Sequence, residues 1–159
     1  MKKADTQAIE IIETEVVLEE ATSFNHSRLI GRLTVLLTDY EDSFDIMPEL
    51  EFELITGRLK PDVAIMTRQP YDWAEDIIRF PHPPLTAIEI LSPTQAFDAL
   101  ASKIRKLYLP AGVQSAWLII PSVKSIYVFS ADGEVGVHTT GTLHDPATQV
   151  KISLEKLFK

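Results

Sequence analysis

"LTAIEILSPTQAFDALASKIRKLY", residues 85–108, changes its hydrophobic period halfway along. Its first seven residues are a near-continuous apolar run of strand length, the pattern of a strand buried on both faces. After the Ser92-Pro93 turn, Phe97, Leu100, Ala101, Ile104, Leu107 and Tyr108 recur at helical spacing, with Thr94 as the expected amino-terminal cap. A strand, a tight turn and an amphipathic helix in succession mark an α/β domain. One residue resists the apolar logic. Glu89 shares a strand face with Leu91, while Ile88 and Ile90 take the other face. A carboxylate inside such a run loses its hydration unless it finds a cation or donors.

Upstream, "PDVAIMT" (61–67) is a second buried-strand run, opening on Asp62. The intervening "RQPYDWAEDIIRFPHPP" holds four prolines and reads as a long loop with one helical turn at Trp73–Ile78. Earlier still, "SFNHSRLIGRLTVLLTDYE" carries Leu29, Leu33, Leu36 and Leu37 at helical spacing, with Ser23 or Asn25 as cap. "DIMPELEFEL" alternates Leu50, Phe52 and Leu54 with Glu49, Glu51 and Glu53, which predicts one strand with a wet face. Downstream, "SAWLIIP", "SIYVFS" and "EVGVHT" predict a meander whose last turn is Asp-Gly, and a short strand near Val150–Ile152 precedes a terminal helical turn. The reading is one domain, an α/β fold with a mixed central sheet flanked by helices and a carboxy-terminal strand meander. Residues 1–20 are expected to be a loosely packed extension.

Composition sets limits. The 159 residues suffice for one core without staples, and with no cysteine there are neither disulfides nor thiolate metal sites, as befits a reducing cytoplasm. No run approaches the roughly 18 apolar residues of a membrane span, and acids interrupt the amino terminus where an export signal would be apolar. The net charge of −8 is unevenly spread: residues 1–53 carry 13 acids against four bases, and residues 54–159 carry 10 acids against 11 bases. A phosphate-neutralising protein usually presents a basic face, so bulk charge speaks against tight nucleic-acid binding and leaves room for metal-assisted binding.

If the strands of Asp62 and Glu89 are neighbours, their carboxylates converge, repel, and are relieved by a hard divalent cation such as Mg²⁺ or Mn²⁺. Distance arithmetic adds a third group. Three residues of strand beyond Glu89 rise roughly 10 Å, and eight residues of helix back to Lys103 descend roughly 12 Å. Lys103 therefore returns to the level of Glu89, just outside the apolar stripe, with Arg105 on the other flank and Lys106 toward water. Taken singly, each residue has a blander reading: Asp62 as a strand-end turn residue, Glu89 as a paired core acid, Lys103 as a boundary lysine that snorkels. Among the histidines only His26, near the start of the first helix, draws interest. His82, His138 and His144 lack ligand spacing. Trp117, Tyr127 and Phe129 read as sheet core, and no Gly-rich phosphate loop or nucleophile elbow is present.

Together, "PDVAIMT", "LTAIEILSPT" and "SKIRKLYLPAGVQSAWLIIPSVKSIYVFS" resemble the Uma-type "putative restriction endonuclease" family, within the wider PD-(D/E)xK nuclease fold. The likeness covers roughly residues 24–158 and is strongest from Pro61 to Val128. It implies a restriction-endonuclease-like αβββαβ core, a metal held by Asp62 and Glu89 with the main-chain carbonyl of Ile90 as a further ligand, and Lys103 moved from strand to helix. It further implies Mg²⁺-dependent (or Mn²⁺-supported) cleavage of DNA, a cytoplasmic protein, and a homodimer, since cutting both strands takes two sites. The sequence departs from that pattern in two ways: Leu91 stands where the strand lysine of the wider fold would be, and the Lys103–Tyr108 spacing is one residue longer than is usual. Glu19 or Glu20 is a weaker match to an additional acid. The alternative is a catalytically silent nuclease fold serving as a binding or assembly module, which the acidic first third and the missing strand lysine favour.

Overall fold

In the computed structural model, residues 22–159 are described, so Glu19, Glu20 and the expected extension lie outside the described residues. Helix α1 (Phe24–Leu37) starts where Ser23 Oγ accepts the His26 N–H, and it buries Leu29, Leu33 and Leu37 at intervals of four. Each of these burials stabilises by about 1.5–3 kcal/mol, enough to hold the helix on the sheet. Strands β1 (Phe44–Pro48), β4 (Val63–Thr67), β5 (Thr86–Ile90), β6 (Ser115–Ile120), β7 (Ser125–Ser130) and β8 (Val135–His138) form one six-stranded sheet in the order β1-β4-β5-β6-β7-β8. Only β5 and β6 run parallel. The connection between them is the helical segment α2 (Phe97–Lys103) with its continuation through Tyr108, as a parallel pair requires. Left-handed Gly112, at φ 106°, ends that segment and turns the chain into β6.

The sheet separates two apolar layers. On one face Val63, Ile65, Ile88, Ile90, Trp117 and Ile119 pack against α1 and the carboxy-terminal elements: the pair β9 (Thr142–His144) and β10 (Lys151–Ser153), and α3 (Leu154–Leu157). On the other, Ala64, Met66, Ala87, Ala116 and Leu118 pack against Leu100, Ala101, Ile104 and Tyr108. The runs at 63–66 and 86–90 are buried throughout, the double burial expected of them. An α-β-β-β-α-β core is therefore present, formed by α1, β1, β4, β5, α2 and β6.

Three local expectations need correction. The segment "DIMPELEFEL" is not one strand: Glu49, at φ 56°, breaks it after Pro48. Its second half, β2 (Phe52–Leu54), leaves the main sheet to pair with β3 (Gly57–Leu59) in a separate hairpin. The alternation itself holds, since Phe52 and Leu54 are buried and Glu53 is exposed. Thr94 does not cap α2. The chain is held before the helix by Gln95, whose Oε1 accepts the Ser92 N–H, and the cap position is Ala96 without a side-chain bond. At Trp73–Ile78 the chain makes an Asp72-centred turn, with the N–H groups of Ala74 and Glu75 bonded to Asp72, and no helix.

Candidate active site

Because β4 and β5 are antiparallel, the start of one lies beside the end of the other. Their ladder runs out at Val63 opposite Ile88. Beyond it the Asp62 side chain takes the place of main chain: its Oδ2 accepts the Ile90 N–H at 2.7 Å. Asp62 is thereby clamped to the residue after Glu89. The place is the carboxyl end of the parallel pair β5–β6, where open α/β sheets characteristically present their sites.

Glu89 points into the α2 layer. Its side chain is only 6% exposed, and its Oε1 receives two donors, Lys103 Nζ at 2.8 Å and Tyr108 Oη at 2.5 Å. Burial pushes the Glu89 carboxyl above its ordinary range, Lys103 opposes that push, and the nearby Asp62 carboxylate adds to it. Burial, with the Glu89 charge beside it, drives the Tyr108 phenol strongly upward, so Tyr108 stays a donor. Among the described residues no hydrogen bond is made to the other carboxylate oxygen, Oε2.

Lys103 and Tyr108 reach one oxygen because the helix changes form between them. Five residues at about 100° each would leave them about 140° apart on an α-helical wheel. Residues Ile104–Tyr108 form a π-turn instead, whose i→i+5 pattern brings residues five apart into line. The five-residue spacing of Lys103 and Tyr108 is thus accommodated by a helical bulge. Lys103 Nζ also lies 5.5 Å from the centre of the Tyr108 ring. Arg105 turns to the other side, over the Phe129 ring, and Lys106 is exposed.

From the opposite layer, α1 supplies His26. Its Nε2 lies 2.9 Å from Asp62 Oδ1, both side chains being mostly buried. It is a charge contact more than a directed hydrogen bond, since Nε2 lacks an aligned partner. The Asp62 carboxylate holds the imidazole above its ordinary pKa, against an opposing effect of burial. Asp62, Glu89, Ile90 and Lys103 are therefore gathered at one sheet end, with Tyr108 and His26 added to them. Sequence reading placed Tyr108 in the apolar stripe and gave His26 no task. The signals that could have assigned them were the lengthened Lys103–Tyr108 spacing and a histidine beside the Ser23 cap.

The donor set suits a hard divalent cation. Two carboxylates, one with an uncommitted oxygen, stand beside the end of β5 where the Ile90 carbonyl lies. Among the described residues no three His, Asp or Glu side chains converge as a closed cage, so main chain and water would complete the coordination.

A family profile described as "Uma2: Putative restriction endonuclease" matches residues 1–155. Among solved structures, the chain resembles a "putative nuclease belonging to DUF820" from Anabaena variabilis, with a TM-score of 0.72 at 24% identity, covering 86% of this chain and 81% of that one. That likeness is one of fold. No curated protein matches the chain.

Proposed function

Since the chain belongs to the Uma2 "putative restriction endonuclease" family, we propose that this nuclease-fold protein hydrolyses phosphodiester bonds of DNA at the sheet end formed by Asp62, Glu89 and Lys103. The observation that carries this reading is the convergence of Lys103 and Tyr108 on one oxygen of Glu89, while Asp62 on the neighbouring strand grips the next residue. A buried carboxylate set up in this way keeps its second oxygen available at a defined place.

Asp62, Glu89 Oε2 and the Ile90 carbonyl would hold the cation, Mg²⁺ or Mn²⁺. When bound, it supplies Lewis-acid polarisation of the phosphate and a lowered pKa for the attacking water. The chain's residues do the rest. Tyr108 and Lys103 fix the orientation of Glu89, and the Lys103 ammonium opposes the upward push of burial on the Glu89 carboxyl. Of the three N–H donors of Lys103, one is engaged with Glu89. The others are free to orient a water or to bond the negative charge that develops on the phosphate oxygens. His26 restrains the outer oxygen of Asp62. Cutting both strands of a duplex would engage two copies of the chain.

Nicking of supercoiled plasmid in Mg²⁺ and in Mn²⁺ tests the reading. Wild type should nick only with a divalent cation, and Glu89→Gln, Asp62→Asn and Lys103→Met should each lose at least about a hundredfold in rate. Metal-independent nicking, or Glu89→Gln as active as wild type, would contradict it. A second reading, a silent nuclease fold acting as a binding module, is favoured by the absence of a three-ligand cage among the described residues. It predicts intact plasmid under every condition.

A further inference from the structure

The residues flanking the candidate site open into a groove of about 490 Å³, bounded by the start of α1, the β5–α2 turn and the β6–β7 turn. Asn25, which lines it, precedes His26, and Leu91, also lining it, follows Ile90. The groove therefore reaches the chain neighbours of His26 and Ile90, the two residues that touch Asp62. Its polar lining is neutral: the hydroxyls of Ser23, Ser92 and Ser122 and the amides of Asn25 and Gln95. No acid lines it.

Asn25 and Pro121 also line a second groove, so the two join. This one carries Arg28, Lys124 and Lys159. Lys124, Phe158 and Lys159 pass on into a third, where Glu155 is the one acid. Arg28 and Arg32 are four apart on α1, and their guanidinium groups donate to the Lys159 and Lys156 carbonyls. These bonds steady the two side chains. Among the described residues none of Arg28, Arg32, Lys124, Lys156 and Lys159 lies in an ion pair with an Asp or Glu side chain. Lys124 moreover sits at φ 46°, a left-handed conformation that costs a lysine about 1–2 kcal/mol and that glycine or asparagine would adopt more readily.

We propose that this strip, from Lys124 and Arg28 through the neutral groove to Asp62, is the track of the DNA phosphodiester backbone. The proposal rests on the nuclease reading above. These cations contribute the electrostatic attraction. Hydroxyl and amide donors bond phosphate oxygens nearer the metal-binding carboxylates, where a further fixed cation would compete with the metal. A chain with a net charge of −8 in this way presents one cationic path, aimed at its candidate site.

The test is fluorescence anisotropy of a labelled 30-base-pair duplex against salt concentration, in EDTA so that no cleavage competes. It compares the full wild-type chain, Arg28→Gln/Lys124→Gln, and a control pair in the other layer, Arg58→Gln/Lys106→Gln. Each lost phosphate contact flattens the slope of log K against log[salt] by about 0.9, so the strip variant should lose nearly two units of slope and roughly 60-fold in affinity at 0.1 M salt. The control should match wild type. Wild-type binding that both pairs weaken equally, or that neither weakens, overturns the track and leaves the nuclease reading standing. Absence of wild-type binding even at low salt likewise overturns the track, and the nuclease reading then stands or falls on plasmid nicking with divalent cation.

Discussion

Replacing Lys103 by methionine keeps most of the side-chain stem and removes the cation, isolating the Glu89 carboxylate. That carboxylate is 6% exposed, with Nζ at 2.8 Å. Breaking a buried pair from one side costs about 3–5 kcal/mol. Lys103 is 30% exposed, which screens part of the attraction, and Tyr108 keeps its own bond to Glu89. The expected loss is therefore about 2–3 kcal/mol. Its pH dependence is the sharper test. Burial already raises the Glu89 pKa above 4.5, and the Lys103 charge is the largest influence holding it down. Without that charge the pKa rises further. An acid whose pKa is higher in the folded than in the unfolded chain binds more protons when folded, so stability falls as pH rises between the two values. The deficit of Lys103→Met should be small at pH 4 and grow toward pH 8. Urea denaturation of the metal-free protein at pH 4, 6 and 8 measures it. In a Glu89→Gln background, the same substitution should cost less than about 1 kcal/mol. A deficit that ignores pH, or is equal in both backgrounds, would refute the reasoning.

Tyr108→Phe removes one charge-assisted hydrogen bond to the same oxygen and should destabilise by about 1.5–3 kcal/mol, again less at acid pH, as denaturation curves would show. For His26, raised above its ordinary 6.5 by Asp62, the sign is the same as for Glu89: stability falls as pH rises. The contact's stabilisation, about 1 kcal/mol, is fully present below pH 6.5 and lost as pH rises through the folded-state value, so His26→Gln in EDTA should erase that slope. Asp145 is wholly buried and accepts from Thr86, Ser115, Trp117 and Thr148. Asp145→Ala strands these donors and should cost at least about 3 kcal/mol, with a shift in Trp117 fluorescence reporting the loss.

The two central strands were readable from their unbroken apolar runs, and the face of Glu89, opposite Ile88 and Ile90, from the period of two. Lys103 was reachable by counting rise along strand and helix. The convergence of Tyr108 was not, because a 100° wheel sets it apart from Lys103 and only a π-turn realigns them. The break at Glu49 was hidden for a similar reason: alternation persisted through residues 50–54 while the chain moved from one sheet to another. Asp145, followed by a proline, looks locally like any turn acid. Three of its donors, Thr86, Ser115 and Trp117, come from β5 and β6, which lie 28 or more residues away and meet it only in the folded chain.

The central claim is that Asp62 and Glu89 share one divalent cation, and titration calorimetry of Mn²⁺ into wild type, Asp62→Ala and Glu89→Ala tests it most directly. The account predicts one Mn²⁺ per wild-type chain and no binding heat in either variant. A wild-type chain that takes up no Mn²⁺, or a variant that binds it undiminished, would contradict it.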